Sequence, residues 1–439
     1  MSIAISEKNI TQEVIAAIRR DTKPTGSFDT LRAAALENLE RQGLPGNKSE
    51  EYKHTPLTRI LEKNFNFGQT NPVSVSALNR EAFLIPDIDG NVVVFVNGKW
   101  SEELSTIQSE EGVQIIPFSA AGTAEANLIG THLGHVADHS NDAFAAWNTA
   151  AFSDGVLIYV KKNTQAQRPV LIYHIHDTTQ GQVISAVRNL VVTETGSEIT
   201  LLEKYDTFGT ANGFSMVVSE GVVAENALVN WYSIQNDSGR FHHEHRQINQ
   251  DRSSHVNTYT FTLDGNVVRN NLQLSLDGEG IDSHMYGLYL VSKKTIADNH
   301  TVVDHRQPNS FSNEFYKGII DDQGRGVFNG KIYVRPNAQK TNAFQANRNI
   351  LLGDQATVNT KPQLEIWADD VKCSHGCTSG QLDEEALFYL RARGIHKDTA
   401  RAIMLYAFAA ELLETMKNPV IKGYIDSLIS ERLHKNFES

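Results

Sequence analysis

A chain of 439 residues with a formal net charge of −12 and 40% hydrophobic residues has enough apolar material for a large buried core, and too much negative charge to grip a nucleic-acid backbone. Two cysteines exclude a disulfide framework and point to a reducing compartment, the cytoplasm. No run of ~18 uncharged apolar residues occurs, so no membrane span is expected. The opening MSIAISEKNITQEVIAAIRRD lacks the basic start, apolar block and cleavage site of a secretory leader.

Residues 1–150 read as a helical and mixed N-terminal domain. In FDTLRAAALENLERQGL, Leu31, Ala34, Ala35, Leu36 and Leu39 recur at helical spacing, with Gly43 as the stop. GLPGNKSEEYKHT reads as a loop. VVVFVNGKW reads as a strand entering a turn at Asn97-Gly98. SNDAFAAWNTAAFSDG is predicted to be a short helix capped by Ser140 or Asn141.

From about residue 151 to 380 the texture is β. Short runs such as GVLIYV, RPVLIYHIH, EITLLEKY, HVNTYTFTLD and QLEIWADDV follow one another, separated by Gly, Asn, Asp and Ser. A sandwich of ~100 residues would end well before this series does. A solenoid, in which each rung touches only its neighbours, fits it better.

Residues 381–439 read as a C-terminal helical domain. LDEEALFYLRARG offers Asp383 as N-cap and Gly394 as stop. DTARAIMLYAFAAELLETMKNP is predicted to start at Asp398, to bury a stripe of Ile403, Tyr406, Ala410 and Leu413, and to halt near Pro419. VIKGYIDSLISERL is a shorter amphipathic piece. Such a bundle serves either to cover the exposed end of a stack of strands or to dock a partner.

Several chemistries lack their motifs. There is no GxxxxGK[ST], so ATP is not handled by a phosphate loop of this chain, and no GxGxxG, GxSxG or HExxH occurs. Three histidine-bearing stretches remain. In RFHHEHRQ, His243 and His245 share one face of a strand, and with a distant ligand they would suit a β-sandwich metalloenzyme. The competing reading is a polar strand with satisfied imidazoles. In NHTVVDHRQPNS, His300 and His305 fall on opposite faces and cannot share a metal without a bend.

VKCSHGCTSG holds both cysteines, Cys373 and Cys377, around His375. On a strand all three point one way, with the thiols ~13 Å apart at ~3.3 Å per residue, too far for a disulfide. Thiol and imidazole suit zinc or the iron of an iron–sulfur cluster. Three such residues do not complete a four-ligand site. They are either ordinary half-buried residues near a turn or a half-site completed by another chain. In that half-site a protonated imidazole would favour the neighbouring thiolate.

The stretch FNGKIYVRPNAQKTNAFQANRNILLGDQATVNTKPQLEIWADDVKCSHGCTSGQLDEEALFYLRARGI resembles the C-terminal core of the SufB/SufD family, scaffold proteins of iron–sulfur cluster assembly. EEYKHTPL, DAFAAWNTAAFSDGVLIYV and NHTVVDHRQPNSFSNEFYKGII fit the same pattern, and CSHG has the form of the SufD branch. The resemblance implies a right-handed parallel β-helix between helical terminal domains. It implies a non-enzymatic subunit that pairs with a SufB-like protein and binds a SufC-like ATPase through its C-terminal region. His375, with Cys373 beside it, would contribute to a cluster-assembly site at the SufB interface. Cys377 stands where many SufD sequences have alanine. ATP would sit on the SufC partner and the iron–sulfur cluster would be held only transiently, with no cofactor bound stably by the chain alone. A flavin is associated with the assembled complex in the family, but no flavin site is identifiable here. A homodimer of the isolated chain is expected where the mixed pair is missing, because a surface shaped for a similar β-helix accepts itself.

Overall fold

The computed structural model describes residues 10 to 435 apart from 23–25, 27, 47–48, 71–77 and 138. Three helices come first: α1 (Ile10–Asp21), α2 (Asp29–Gln42) and α3 (Leu57–Asn64). Gly43 ends α2 with φ 66°, donating its N–H to the Leu39 carbonyl, as its place in the sequence predicts. Strands β1 (Asn91–Val96) and β2 (Lys99–Trp100) form a hairpin. Its turn places Asn97 and Gly98 at φ 50° and 84°, the left-handed pair that a two-residue hairpin requires. Then follow β3 (Val113–Pro117), α4 (Thr123–His132) and α5 (Ala143–Ala151). The cap of α5 is Asp142 rather than Ser140 or Asn141. Its carboxylate accepts from the N–H groups of Phe144 and Ala145, both at 2.9 Å, and a charged acceptor outcompetes neutral ones there.

The solenoid runs through β4 (Asp154–Val160), β5 (Val170–Asp177), β6 (Val183–Thr193), β7 (Glu198–Phe208), β8 (Gly213–Val223), β9 (Leu228–Asn236), β10 (Arg240–Gln250), β11 (His255–Asp264), β12 (Val267–Leu276), β13 (Asp282–Val291), β14 (Ile296–His305), β15 (Phe311–Ile320), β16 (Arg325–Val334), β17 (Asn342–Leu351), β18 (Thr357–Ile366) and β19 (Lys372–Gly380). Successive strands alternate between two sheets, one ordered β19-β17-β15-β13-β11-β9-β7-β5-β1-β2 and the other β18-β16-β14-β12-β10-β8-β6-β4-β3. Two strands make a turn, and about eight turns stack. Neighbours are parallel from β4 to β19, and the antiparallel pairs are β1 with β2 and β3 with β4. This excludes the β-sandwich considered for the His243 and His245 pair, whose sheets would be antiparallel.

Between the sheets lies an apolar core that includes Val191, Leu201, Trp231, Leu274 and Phe328. Segments such as VLIYHIHD are buried on both faces, because helices cover the outside of both sheets. The N-terminal helices pack Phe144, Trp147 and their neighbours onto Phe214, Met216 and Phe241 of the nine-stranded sheet. The C-terminal helices α6 (Glu384–Ala392), α7 (Lys397–Leu413) and α8 (Pro419–Lys435) return along the outside of the ten-stranded sheet. There Leu405, Ala409 and Leu412 of α7 meet Tyr232, Tyr259 and Tyr286.

Asp383 caps α6 as predicted, accepting from Glu385 and Ala386. The buried stripe of α7 is Ala402, Leu405, Ala409, Leu412 and Leu413, so Ile403 is exposed instead of buried. The stripe turns because a sheet, not another helix alone, receives it. Pro419 opens α8, where its missing N–H has no partner to lose. The bundle therefore lies along the sheet, and among the described residues no strand pairs beyond β18 or β19, whose side chains are half-buried or exposed.

Candidate functional site

Cys373, His375 and Cys377 lie on β19, the last strand of the ten-stranded sheet. It pairs with β17 in register, Cys373 beside Ala343, His375 beside Gln345 and Cys377 beside Asn347. Ala343, Gln345 and Asn347 are buried inward-facing residues, so the three β19 side chains continue columns of the solenoid interior. Among the described residues no strand pairs with the other edge of β19, which leaves a row of backbone donors and acceptors free. His375 is exposed, and Cys373 and Cys377 are half-buried free thiols.

The two thiols have different surroundings. Cys373 packs against a small apolar cluster that includes Ile332, Val334, Ala338 and Ala343. Burial raises its thiol above the ordinary value, with the Ala343 backbone hydrogen bond pulling the other way. The thiolate expected from a neighbouring imidazole is therefore not favoured at Cys373, because desolvation dominates there. Cys377 continues the column of Asn347, whose Nδ2 donates to the Tyr289 hydroxyl at 3.1 Å. Around this end the apolar side chains of Phe344, Ile366 and Trp367 are exposed, Trp367 to 49%.

His243 and His245 do share a face, and it is the outer one, under α5. His243 stacks on Phe144 at 4.7 Å between ring centroids, and burial pushes its imidazole down to about 3. His245 Nδ1 lies 3.4 Å from the Asp142 carboxylate that caps α5. The pair thus seats a helix on a sheet. Among the described residues no group of three or more His, Cys, Asp or Glu side chains is placed to hold a metal ion. His300 sits between Glu51 and Asp298, at 3.1 and 3.0 Å, while His305 faces inward and bonds Ser312 Oγ at 2.8 Å.

Residues 174–408 match the SUF system FeS cluster assembly SufBD core domain, and residues 12–172 match the SufBD protein N-terminal region. The chain belongs to the SufBD family. It is 32% identical to the iron–sulfur cluster assembly protein SufD of Escherichia coli over 91% of each chain. It is 30% identical to an iron–sulfur cluster assembly SufBD family protein of Synechocystis, over 98% of this chain and all of that one. SufD of Bacillus subtilis is 25% identical over 97% of this chain and 98% of its own length. The chain is thus a SufD-type member of an iron–sulfur cluster assembly family.

Within this SufBD architecture, the residues beneath the candidate ligands carry no signature in their own stretches of sequence. Gln345 and Glu314 occupy the same column as His375 and carry no local motif. Their signal is periodic. Stacked polar pairs recur at separations of 27 residues, as Asn230 and Asn257, to 31 residues, as Glu314 and Gln345. Phe388 and Tyr389 on α6, at 72% and 56%, and Ile403 on α7 are exposed despite their apolar side chains. Among the described residues no helix is long and apolar enough to cross a membrane.

Proposed function

We propose that this chain is a SufD-like scaffold subunit that lends His375, and secondarily Cys373, to a cluster-assembly site completed by a SufB-like chain. The observation that carries this reading is the uncovered terminal strand bearing His375. An unpaired parallel edge rimmed by Phe344, Ile366 and Trp367 suits edge-to-edge pairing with a second β-helix. The iron–sulfur cluster is cargo here. An imidazole and a thiol from this side leave coordination positions for groups of the partner.

The C-terminal helices take the SufC-like ATPase in this proposal, through exposed Phe388, Tyr389 and Ile403. Motion driven by ATP on that partner reaches the open end through the sheet. Lys317 on β15 bonds the Phe408 carbonyl of α7 at 2.6 Å and pairs with Glu411, which ties the helices to a strand two steps from β19 in its sheet. The chain performs no reaction of its own in this scheme, and it works in the cytoplasm.

Reconstitution of clusters on the co-purified complex tests the reading. His375→Ala is expected to leave complex formation intact and to reduce cluster formation at least ~10-fold, the scale of a lost metal-site group. Cluster formation at the unsubstituted rate, or ATP hydrolysis by the chain alone, would overturn it.

A further inference from the structure

The last rungs of the ten-stranded sheet stack without a slip. Glu314 on β15 pairs with Gln345 on β17, and Gln345 pairs with His375 on β19. In-register residues of a parallel sheet point to the same side, so these three form one column with steps of ~4.8 Å. Glu314 and Gln345 are 0% and 3% exposed.

Hydrogen bonds fix the lower part of the column. Thr301 Oγ1 on β14 donates to Glu314 Oε2 at 2.5 Å, and Gln345 Nε2 donates to the same oxygen at 3.2 Å. Gly330 on β16 leaves the space in which the Gln345 amide lies, since a Cβ there would come 2.3 Å from Nε2. The nitrogen end of the amide is thereby committed to Glu314. Gln345 Oε1 is buried and has no hydrogen-bond partner. A buried acceptor left unpaired is destabilising, and the next side chain of the column is an imidazole with an N–H to give.

We propose that Gln345, held by Glu314 and Thr301, is a positioning residue for His375. When the imidazole turns inward, Gln345 Oε1 accepts a hydrogen from one ring nitrogen and leaves the other facing outward to a metal ion. Glu314 acts through its oxygen as an acceptor, a role that a neutral amide also fills. The consequence for assembly rests on the proposed role of His375, whereas the hydrogen-bonded column does not.

The test uses the full chain, alone and in the co-purified complex. Gln345→Met and Glu314→Leu are expected to reduce cluster formation ~10-fold, and Glu314→Gln is expected to stay within about twofold of the unsubstituted chain. In the isolated chain, labelled-histidine ¹⁵N spectra are expected to show the tautomer ratio of His375 move in Gln345→Met and hold in Glu314→Gln. If Glu314→Leu does not fold, Gln345→Met, which is close in shape, decides the matter by both readouts. An unchanged tautomer ratio together with unchanged assembly in Gln345→Met overturns the proposal. Should His375→Ala itself leave assembly unaffected, the site reading fails, and the tautomer measurement still judges the column.

Discussion

Parallel strands run through the solenoid from β4 to β19, yet its two ends finish differently. At the N-terminal end the two sheets finish in β2 and β3, each antiparallel to its neighbour. Helices then cover the outer face, and Gly155 sits so tightly that a Cβ would lie 1.8 Å from the Arg188 carbonyl. At the C-terminal end, β18 and β19 close nothing, and a Cβ on Gly376 would meet no atom within 4 Å. Two buried carboxylates record the same contrast. Burial pushes Glu203 up, but His174 and Arg246 outweigh it and hold the group down at about 2. Glu314, toward the C-terminal end, has Thr301 and Gln345 for partners and no cation among the described residues, and burial lifts it to about 7. One end is built to be finished within the chain. The other ends on a strand whose side chains are half-buried or exposed.

The contrast breaks most severely at Glu220. Its carboxylate accepts from the N–H groups of Gly134, Val136 and Ala137 at 2.8 to 3.1 Å, and pairs with fully buried Arg188 at 2.7 Å. Glu220→Ala leaves Arg188 without its counter-charge, and a loss of about 3–5 kcal/mol in denaturant unfolding is expected. A loss under about 1 kcal/mol would mean that the closed end does not depend on this clamp.

Glu314 sharpens the comparison through pH. Unfolded, it releases its proton near the ordinary 4.5, and folded it keeps it to about 7. Between those values the folded state binds more protons. The group's contribution is therefore fully present below about 4.5 and is lost as pH rises to 7, by about 3 kcal/mol in all. Glu314→Gln should remove this slope, so its stability difference from the unsubstituted chain shifts in the variant's favour from pH 5 to pH 8. Parallel unfolding curves for the two proteins across that range would contradict the assignment.

The smallest effect is expected at the open edge. Gly376→Ala should change the isolated chain's stability by no more than about 0.5 kcal/mol, measured by urea midpoint. A large loss there would show that β19 is already packed against something within the chain.

Much of this was legible in the residues. The even march of short apolar runs separated by Gly, Asn and Asp called for a stack of strands, and the structure is a parallel solenoid. Gly43, Asn97-Gly98 and Asp383 fall where their turn and cap chemistry puts them. What was less legible depended on neighbours distant in sequence. Asp142 wins the α5 cap over Ser140 and Asn141, and His245 of β10 lies beside it. Ile403 reads as buried from its helical spacing, and it is exposed because the sheet meets α7 on another face. Cys373 reads either as an ordinary half-buried residue or as a thiol beside an imidazole, and its burial against an apolar cluster distant in sequence raises the thiol.

By itself the sequence determined the strands, their turns, the caps and the placing of Cys373, His375 and Cys377 on one face of a strand, because each depends on residues a few positions apart. Tertiary structure decided which end of the stack stays open and that Gln345 and Glu314 lie beneath His375. It also decided that His243 and His245 lie beneath α5, against Phe144 and Asp142. The physical reason is register. One turn of the solenoid brings together residues about thirty positions apart, as Glu314 and Gln345 are, and no local propensity encodes which of them will share a column.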